Sequence, residues 1–249
     1  MSGVGSFAWD LLFPPRCLGC GTRLRPGPWK SSPFLCAECA PRWERELSMQ
    51  CPKCALPYAE CRCQPERMRR AGCHGFLKLV PYGREGVTVS TQLLLSMKRS
   101  PRRRLFRFAA GELCEDVKAY LAAAGFQREE CVITFLPRLT RTRRQTGVDQ
   151  ARELARALSK ETGIPFATLL RRRGGKHPQK SLSAAARAQN LRDAFSLVCE
   201  PAARCVLVVD DIVTTGAGMS VATSLLRGKD AREVVAVAVA HTERKKPKA

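Results

Sequence analysis

The segment Val206–Leu226, VLVVDDIVTTGAGMSVATSLL, constrains the fold more than any other part of this 249-residue chain. An unbroken apolar run ending in two adjacent acids predicts a strand buried on both faces, the pattern of a parallel sheet. Asp210 and Asp211 then fall at the carboxyl end of that strand, where open α/β sheets bind their ligands. Thr214, Thr215 and Gly216 follow, and from Ala217, Gly218, Met219 and Ser220 onward the apolar spacing turns helical. The free N–H groups and positive dipole end of such a helix suit a phosphate. Acids for sugar hydroxyls beside a cradle for an anion predict a site for a phosphorylated sugar. The bland alternative is a generic strand, acidic turn and helix; adjacent acids, paired threonines and matching flanks together favour the site.

The amino-terminal quarter has a different character. Of the 13 cysteines, eight fall in close pairs: Cys17 and Cys20, Cys36 and Cys39, Cys51 and Cys54, Cys61 and Cys63. A tight turn carrying two thiolates supplies two corners of a tetrahedron, so the spacing predicts one or two structural zinc ions. Sequential pairing assigns Cys17, Cys20, Cys36 and Cys39 to one ion and Cys51, Cys54, Cys61 and Cys63 to the other. An interleaved pairing, or Cys73 or His74 replacing one ligand, satisfies the same spacing. A disulfide framework is the competing reading, and it needs a secretory context. The start, MSGVGSFAWDLLFPPR, has no basic segment and carries Asp10 inside its short apolar patch, unlike a signal peptide. Cys114, Cys131, Cys199 and Cys205 lie in apolar segments and are expected as small core residues.

The formal net charge is +21, from 43 basic and 22 acidic side chains. Two zinc ions held by eight thiolates would leave it at about +17. Such a field draws anionic partners: a pyrophosphate-bearing substrate, nucleic acid or an acidic protein face. Arg102 to Arg104 read as surface or nucleic-acid contacts rather than catalytic groups. Aromatic residues are only 6% of the chain, so base-stacking platforms are not evident. No apolar run is long enough for a membrane span, and a cytoplasmic location is expected.

The expected organisation is a zinc-ribbon module over 1–64, a basic connector over 65–75, an α/β domain over 76–241 and a basic tail over 242–249. Within the α/β domain, strands are predicted at Phe76–Tyr82, Cys131–Leu136, Cys205–Val209 and Val234–Ala240, with helices at Leu105–Leu121 and Asp149–Glu161. This alternation predicts a parallel or mixed sheet flanked by helices.

The stretch DDIVTTGAG resembles the PRPP-binding motif of type I phosphoribosyltransferases. With LPRLTRTRRQTGVDQARELA over 136–155, GGKHPQKSLSAAARAQNLRDAF over 174–195 and the cysteine module, nearly the whole chain resembles the ComF family. In that family a zinc ribbon precedes a phosphoribosyltransferase-like domain, and the family is linked with DNA uptake. Gly147, Asp149 and Gln150 match its RGFNQ or YGFDQ segment, though its Arg or Tyr and its aromatic are absent. Gln179, Lys180, Leu182, Arg187, Asn190 and Phe195 match a later pattern, and Lys98 falls where the family favours Lys. Gly218 stands where the family has Thr or Ser. The resemblance implies PRPP bound with magnesium, Asp210 and Asp211 acting on the ribose, and the loop from Thr214 through Met219 on the 5′-phosphate, with Ser220 as a substitute hydroxyl. It implies pyrophosphate or lid contacts from Arg138, Arg141, Arg143, Arg144, Lys176, Gln179, Lys180 and Arg187. Single-stranded DNA and a competence helicase are its implied partners. A non-catalytic DNA-binding module on the same fold is the alternative.

Overall fold

A computed structural model describes residues 15–24, 34–83, 88–138, 147–173, 194–227 and 231–242. In chain order the elements are α1 (Cys39–Leu47), α2 (Glu66–Arg70), β1 (Gly75–Tyr82), α3 (Val89–Arg99), α4 (Arg103–Ala123), β2 (Cys131–Phe135), α5 (Gln150–Thr162), β3 (Leu170–Arg172), β4 (Phe195–Leu197), β5 (Cys205–Val213), α6 (Ala217–Leu226) and β6 (Glu233–Thr242).

Four strands form one parallel sheet in the order β1-β6-β5-β2, so β5 is central and carries the acidic pair. Its apolar residues alternate between two cores, as period-two side chains on a doubly covered sheet must. Leu207 and Val209 face Leu113, Val117, Leu154 and Leu158 of α4 and α5. Val206 and Val208 face Met219, Ala222 and Leu226 of α6, with Leu169 and Leu170 beside them. The antiparallel pair β3–β4 lies on this second side. All four predicted strands and both predicted helices form, and Cys114, Cys131 and Cys205 are buried. Cys199 departs from the expectation: it is exposed, in the bend after β4 where the chain leaves the core.

Two features go beyond what the sequence predicts. Helix α3 is capped at its start by Thr88, whose side chain accepts from Thr91 N, and also from a distance. The buried carboxylate of Glu46 in α1 accepts from Val89 N at 2.7 Å and Ser90 N at 3.0 Å. The cysteine module also shares the sheet's core. Trp43 donates from Nε1 to Glu112 Oε2 at 2.8 Å, and its ring sits 5.3 Å from that of Phe108 on α4. Helix α4 runs antiparallel to the strands. Tyr120 near its end lies against Gly75, and its hydroxyl donates to Glu233 Oε2 at 3.0 Å, both at strand starts. Among the described residues no helix is long and apolar enough to cross a membrane.

Candidate functional site

Strand β5 runs four residues past its predicted end, because β6 continues alongside it to the pair Val213 and His241. On its other side β2 stops: Phe135 pairs with Val209, Leu136 N donates to Val209 O at 2.9 Å, and the chain turns away. Asp210 and Asp211 therefore flank a gap where a strand has ended, the position at which a parallel sheet opens to ligands.

Arg138, in the loop after β2, reaches into this gap. Its Nη2 donates to Asp211 Oδ2 at 2.6 Å, with the Asp211 side chain only 3% exposed and that of Arg138 22%. Burial works against the guanidinium charge, but Asp211, Asp210 and Asp149 outweigh it and hold Arg138 above its ordinary range. Asp149 accepts from Arg138 N at 3.3 Å and from Arg152 N at 3.4 Å, and so caps α5 as well. The next residue, Gln150, is fully buried and donates to Met97 O at 3.3 Å. The Gly-Val-Asp-Gln segment thus anchors α5 and α3 beneath the acids, with Gly147 supplying the left-handed turn (φ 71°).

Asp210 lies on the opposite side of β5 and stays partly accessible. It accepts from Asp211 N at 2.9 Å. Burial first, and then the neighbouring Asp211 charge, push its carboxyl well above the ordinary range. Arg172 of β3 supplies charge from this side. Its guanidinium lies 4.6 Å from the Phe195 ring centroid, Nε is buried without a partner among the described residues, and burial lowers its pKa against the pull of Asp210. Sequence patterning does not single out this residue. The signal that could have found it is the alternation of the short strand, which turns Arg171 outward and leaves Arg172 half-buried.

Thr214 and Thr215 are exposed, and Gly216 turns the chain into α6 with φ 70°. The first helical bond is Ser220 N to Gly216 O at 2.8 Å, so the N–H groups of Ala217, Gly218 and Met219 have no helical carbonyl to meet. Met219 buries its side chain and offers only backbone here, while the Ser220 hydroxyl donates to Ala217 O at 2.9 Å. A Cβ at Gly216 would meet Met68 Sδ at 2.6 Å and Pro65 Cγ at 3.1 Å. The segment expected as a connector thus carries a packed helix, with Met68 of α2 fully buried against the turn into α6. Gly216→Ala should lower stability by about 1–3 kcal/mol, combining left-handed strain with a collision. Chemical denaturation checks this, and a change under about 0.5 kcal/mol would show that the loop tolerates a side chain. Arg141, Arg143, Arg144, Lys176, His177, Gln179, Lys180, Arg187 and Asn190 lie outside the described residues.

Residues 145–249 match the phosphoribosyl transferase domain family. The chain is 37% identical over 92 residues to Competence protein F of Haemophilus influenzae, covering 35% of this chain and 40% of that protein's length. It is 26% identical over 223 residues to DNA utilization protein YhgH of Salmonella typhimurium, covering 87% of this chain and 92% of that protein. The domain match and the names of these two relatives support the resemblance to the ComF family.

In this chain the cysteines gather in the sequential grouping. Cys17, Cys20, Cys36 and Cys39 bring their sulfurs within 4.8 Å of one another, and so do Cys51, Cys54, Cys61 and Cys63. The Cys20 and Cys36 sulfurs are 3.7 Å apart. That is far beyond a disulfide bond of about 2.05 Å and close to the edge of a tetrahedron with Zn–S of about 2.3 Å. Backbone N–H groups point at the sulfurs, Gly19 and Cys36 at Cys17 and Cys63 at Cys61, as thiolates require. Each group can hold a structural zinc ion, and a four-thiolate set leaves no position for substrate. The Thr22 hydroxyl, 3.2 Å away, holds the Cys20 thiol down at about 6, whereas burial pushes Cys63 up to about 12.

Lys78 ties the second group to the sheet. This β1 side chain is 1% exposed, and its Nζ donates to Cys61 O at 2.8 Å, Cys63 O at 3.0 Å and Cys61 Sγ at 3.3 Å. The Phe76 ring centroid lies 4.9 Å from it. Burial lowers its pKa, and the nearby cysteine charges oppose that shift. In the sequence Lys78 is merely one position of an apolar strand.

Proposed function

We propose that this chain binds PRPP with magnesium at the carboxyl end of β5 and works as a cytoplasmic component of DNA uptake. What supports the first part is one arrangement: two carboxylates beside the end of β2, followed within a few residues by the open N–H groups of α6. Asp210 takes a ribose hydroxyl, and the Thr214–Met219 loop takes the 5′-phosphate through backbone donors. Arg138 and Arg172 approach from the two sides of β5 and offset pyrophosphate charge. The donor set fits magnesium. Asp210 offers a hard oxygen, while Asp211 is committed to Arg138, and this cation keeps substrate and water among its ligands. Bound there, magnesium would neutralise pyrophosphate charge. The DNA-uptake part is supported by the names of the two relatives, a competence protein and a DNA utilization protein.

The test is calorimetry with PRPP and magnesium. Asp210→Asn should weaken binding at least tenfold, about 1.4 kcal/mol. Because the Asp210 carboxyl is held above its ordinary range, affinity should rise with pH as that group ionises. Unchanged binding in Asp210→Asn, or none in the parent protein, rules the reading out. The second reading is a non-catalytic nucleic-acid module on the same fold. It is favoured by the Arg138 ion pair that occupies Asp211 and by the absence of a hydroxyl at Gly218. Turnover of PRPP to pyrophosphate in the presence of candidate acceptors separates the two.

A further inference from the structure

A hollow of about 950 Å³ lies between the first cysteine group and the starts of α3 and α4. Five arginines from separate elements line it: Arg16 and Arg23 of the cysteine loop, Arg42 of α1, and Arg102 and Arg104 at the head of α4. Thr88 and Gln92 add uncharged polar groups, and among the described lining residues there is no Asp or Glu. Glu46, which meets Val89 of the lining, is itself buried and committed to Val89 N and Ser90 N. Cys17, Cys20 and Cys39 also border the hollow. A zinc ion on their group leaves a net charge of about −2 there, which five guanidinium groups outweigh.

We propose that this hollow is a groove for the phosphate backbone of a single-stranded nucleic acid. It gives the DNA-handling part of the proposed function a surface, and it rests on that part alone. Several of the guanidinium groups are set in direction. Arg16 Nη1 donates to Gly21 O at 3.2 Å, Arg104 Nη1 donates to Arg16 O at 2.7 Å, and Arg104 stacks 5.3 Å from the Phe34 ring. Arg16, Arg23, Arg42 and Arg102 of the lining are exposed. Several exposed charges from separate parts of the chain suit a polymer with many phosphates, whereas a small anion is held by a few groups converging in an enclosed pocket. Planar guanidinium forks match phosphate oxygens in pairs. A duplex is stiff, with a persistence length of about 150 bp, and cannot bend into a hollow of this size, whereas a flexible single strand can. Since α4 runs antiparallel to the strands, its head lies towards their carboxyl ends, so the groove opens on the same end of the sheet as Asp210.

The test uses the full, zinc-loaded chain and a fluorescein-labelled single-stranded oligothymidylate, titrated across a range of salt. Every phosphate of a single strand that the protein ceases to neutralise flattens the log–log salt slope by about 0.7. Arg23→Gln with Arg102→Gln should therefore flatten it by about 1.4 and weaken binding about 25-fold at 0.1 M salt. Lys118→Gln with Lys160→Gln removes the same charge from exposed positions on α4 and α5 away from the groove, and it should leave the slope unchanged. PRPP affinity should be unaltered in both. Equal weakening in the two double variants overturns the proposal. So does duplex DNA binding as tightly as the strand, or polyglutamate displacing the oligonucleotide at equal charge concentration. Loss of PRPP binding in Asp210→Asn alongside an unflattened slope in the groove variant would sink the groove and spare the sugar site. The converse pattern would do the reverse.

Discussion

Replacing Arg138 with methionine should cost the folded protein about 3 kcal/mol, because it strands the Asp211 carboxylate in a nearly closed position. Breaking a buried ion pair by removing one partner costs about 3–5 kcal/mol, and the lower end applies because Arg138 keeps some exposure to water. The same chemistry predicts that Arg138→Met combined with Asp211→Leu recovers most of the loss, since an apolar pair of similar volume needs no counter-charge. Urea denaturation of the two single variants and the double variant closes the cycle. Additive losses would mean that Arg138 and Asp211 are not coupled, and the account of the gap beside β2 would fall. A buried pair is a poor source of net stability. Its value here is that it fixes where the loop after β2 sits over the acids.

Removing metal should change the sign of a second substitution. Loaded with zinc, the group of Cys51, Cys54, Cys61 and Cys63 carries a net charge of about −2 beside the Lys78 ammonium. The pair of charges then compensates for burying both. Stripped of metal, the cysteines return to neutral thiols and the ammonium remains buried without a counter-charge. Lys78→Met should therefore destabilise the loaded protein by about 1–3 kcal/mol and stabilise the stripped protein. Thermal melts of parent and variant, with and without a strong chelator, measure this directly. For the parent, chelation itself should lower the melting temperature, since the binding energy of a structural zinc ion is also folding energy. A Lys78→Met protein that melts below the parent under chelator would refute the counter-charge role.

The parts of this fold that follow from local pattern are readable in the sequence. The apolar run into Asp210 and Asp211 is a central strand because Val206 to Val209 satisfy two cores at once. The cysteine pairs group as their order suggests, because each pair is a turn and consecutive turns lie close together. What escapes depends on partners distant in the chain. The sequence places Arg138 only as a pyrophosphate contact; its meeting with Asp211, 73 residues on, exists because β2 lies beside β5 and ends early. Helix α3 escapes because half of its cap comes from Glu46 in the cysteine module. Lys78 is hidden by its neighbours, since a cation inside an apolar strand gains its meaning only from the sulfurs opposite.

Gly218 carries one more consequence. A Cβ built there would lie 3.0 Å from Leu136 Cδ2 and 3.8 Å from the Phe195 ring, so the side-chain space at this position is already taken. Placing a threonine there therefore requires the Leu136 tip to give by a few tenths of an ångström. The two positions are coupled, and a hydroxyl at 218 should be better tolerated beside a smaller residue at 136 than beside the leucine.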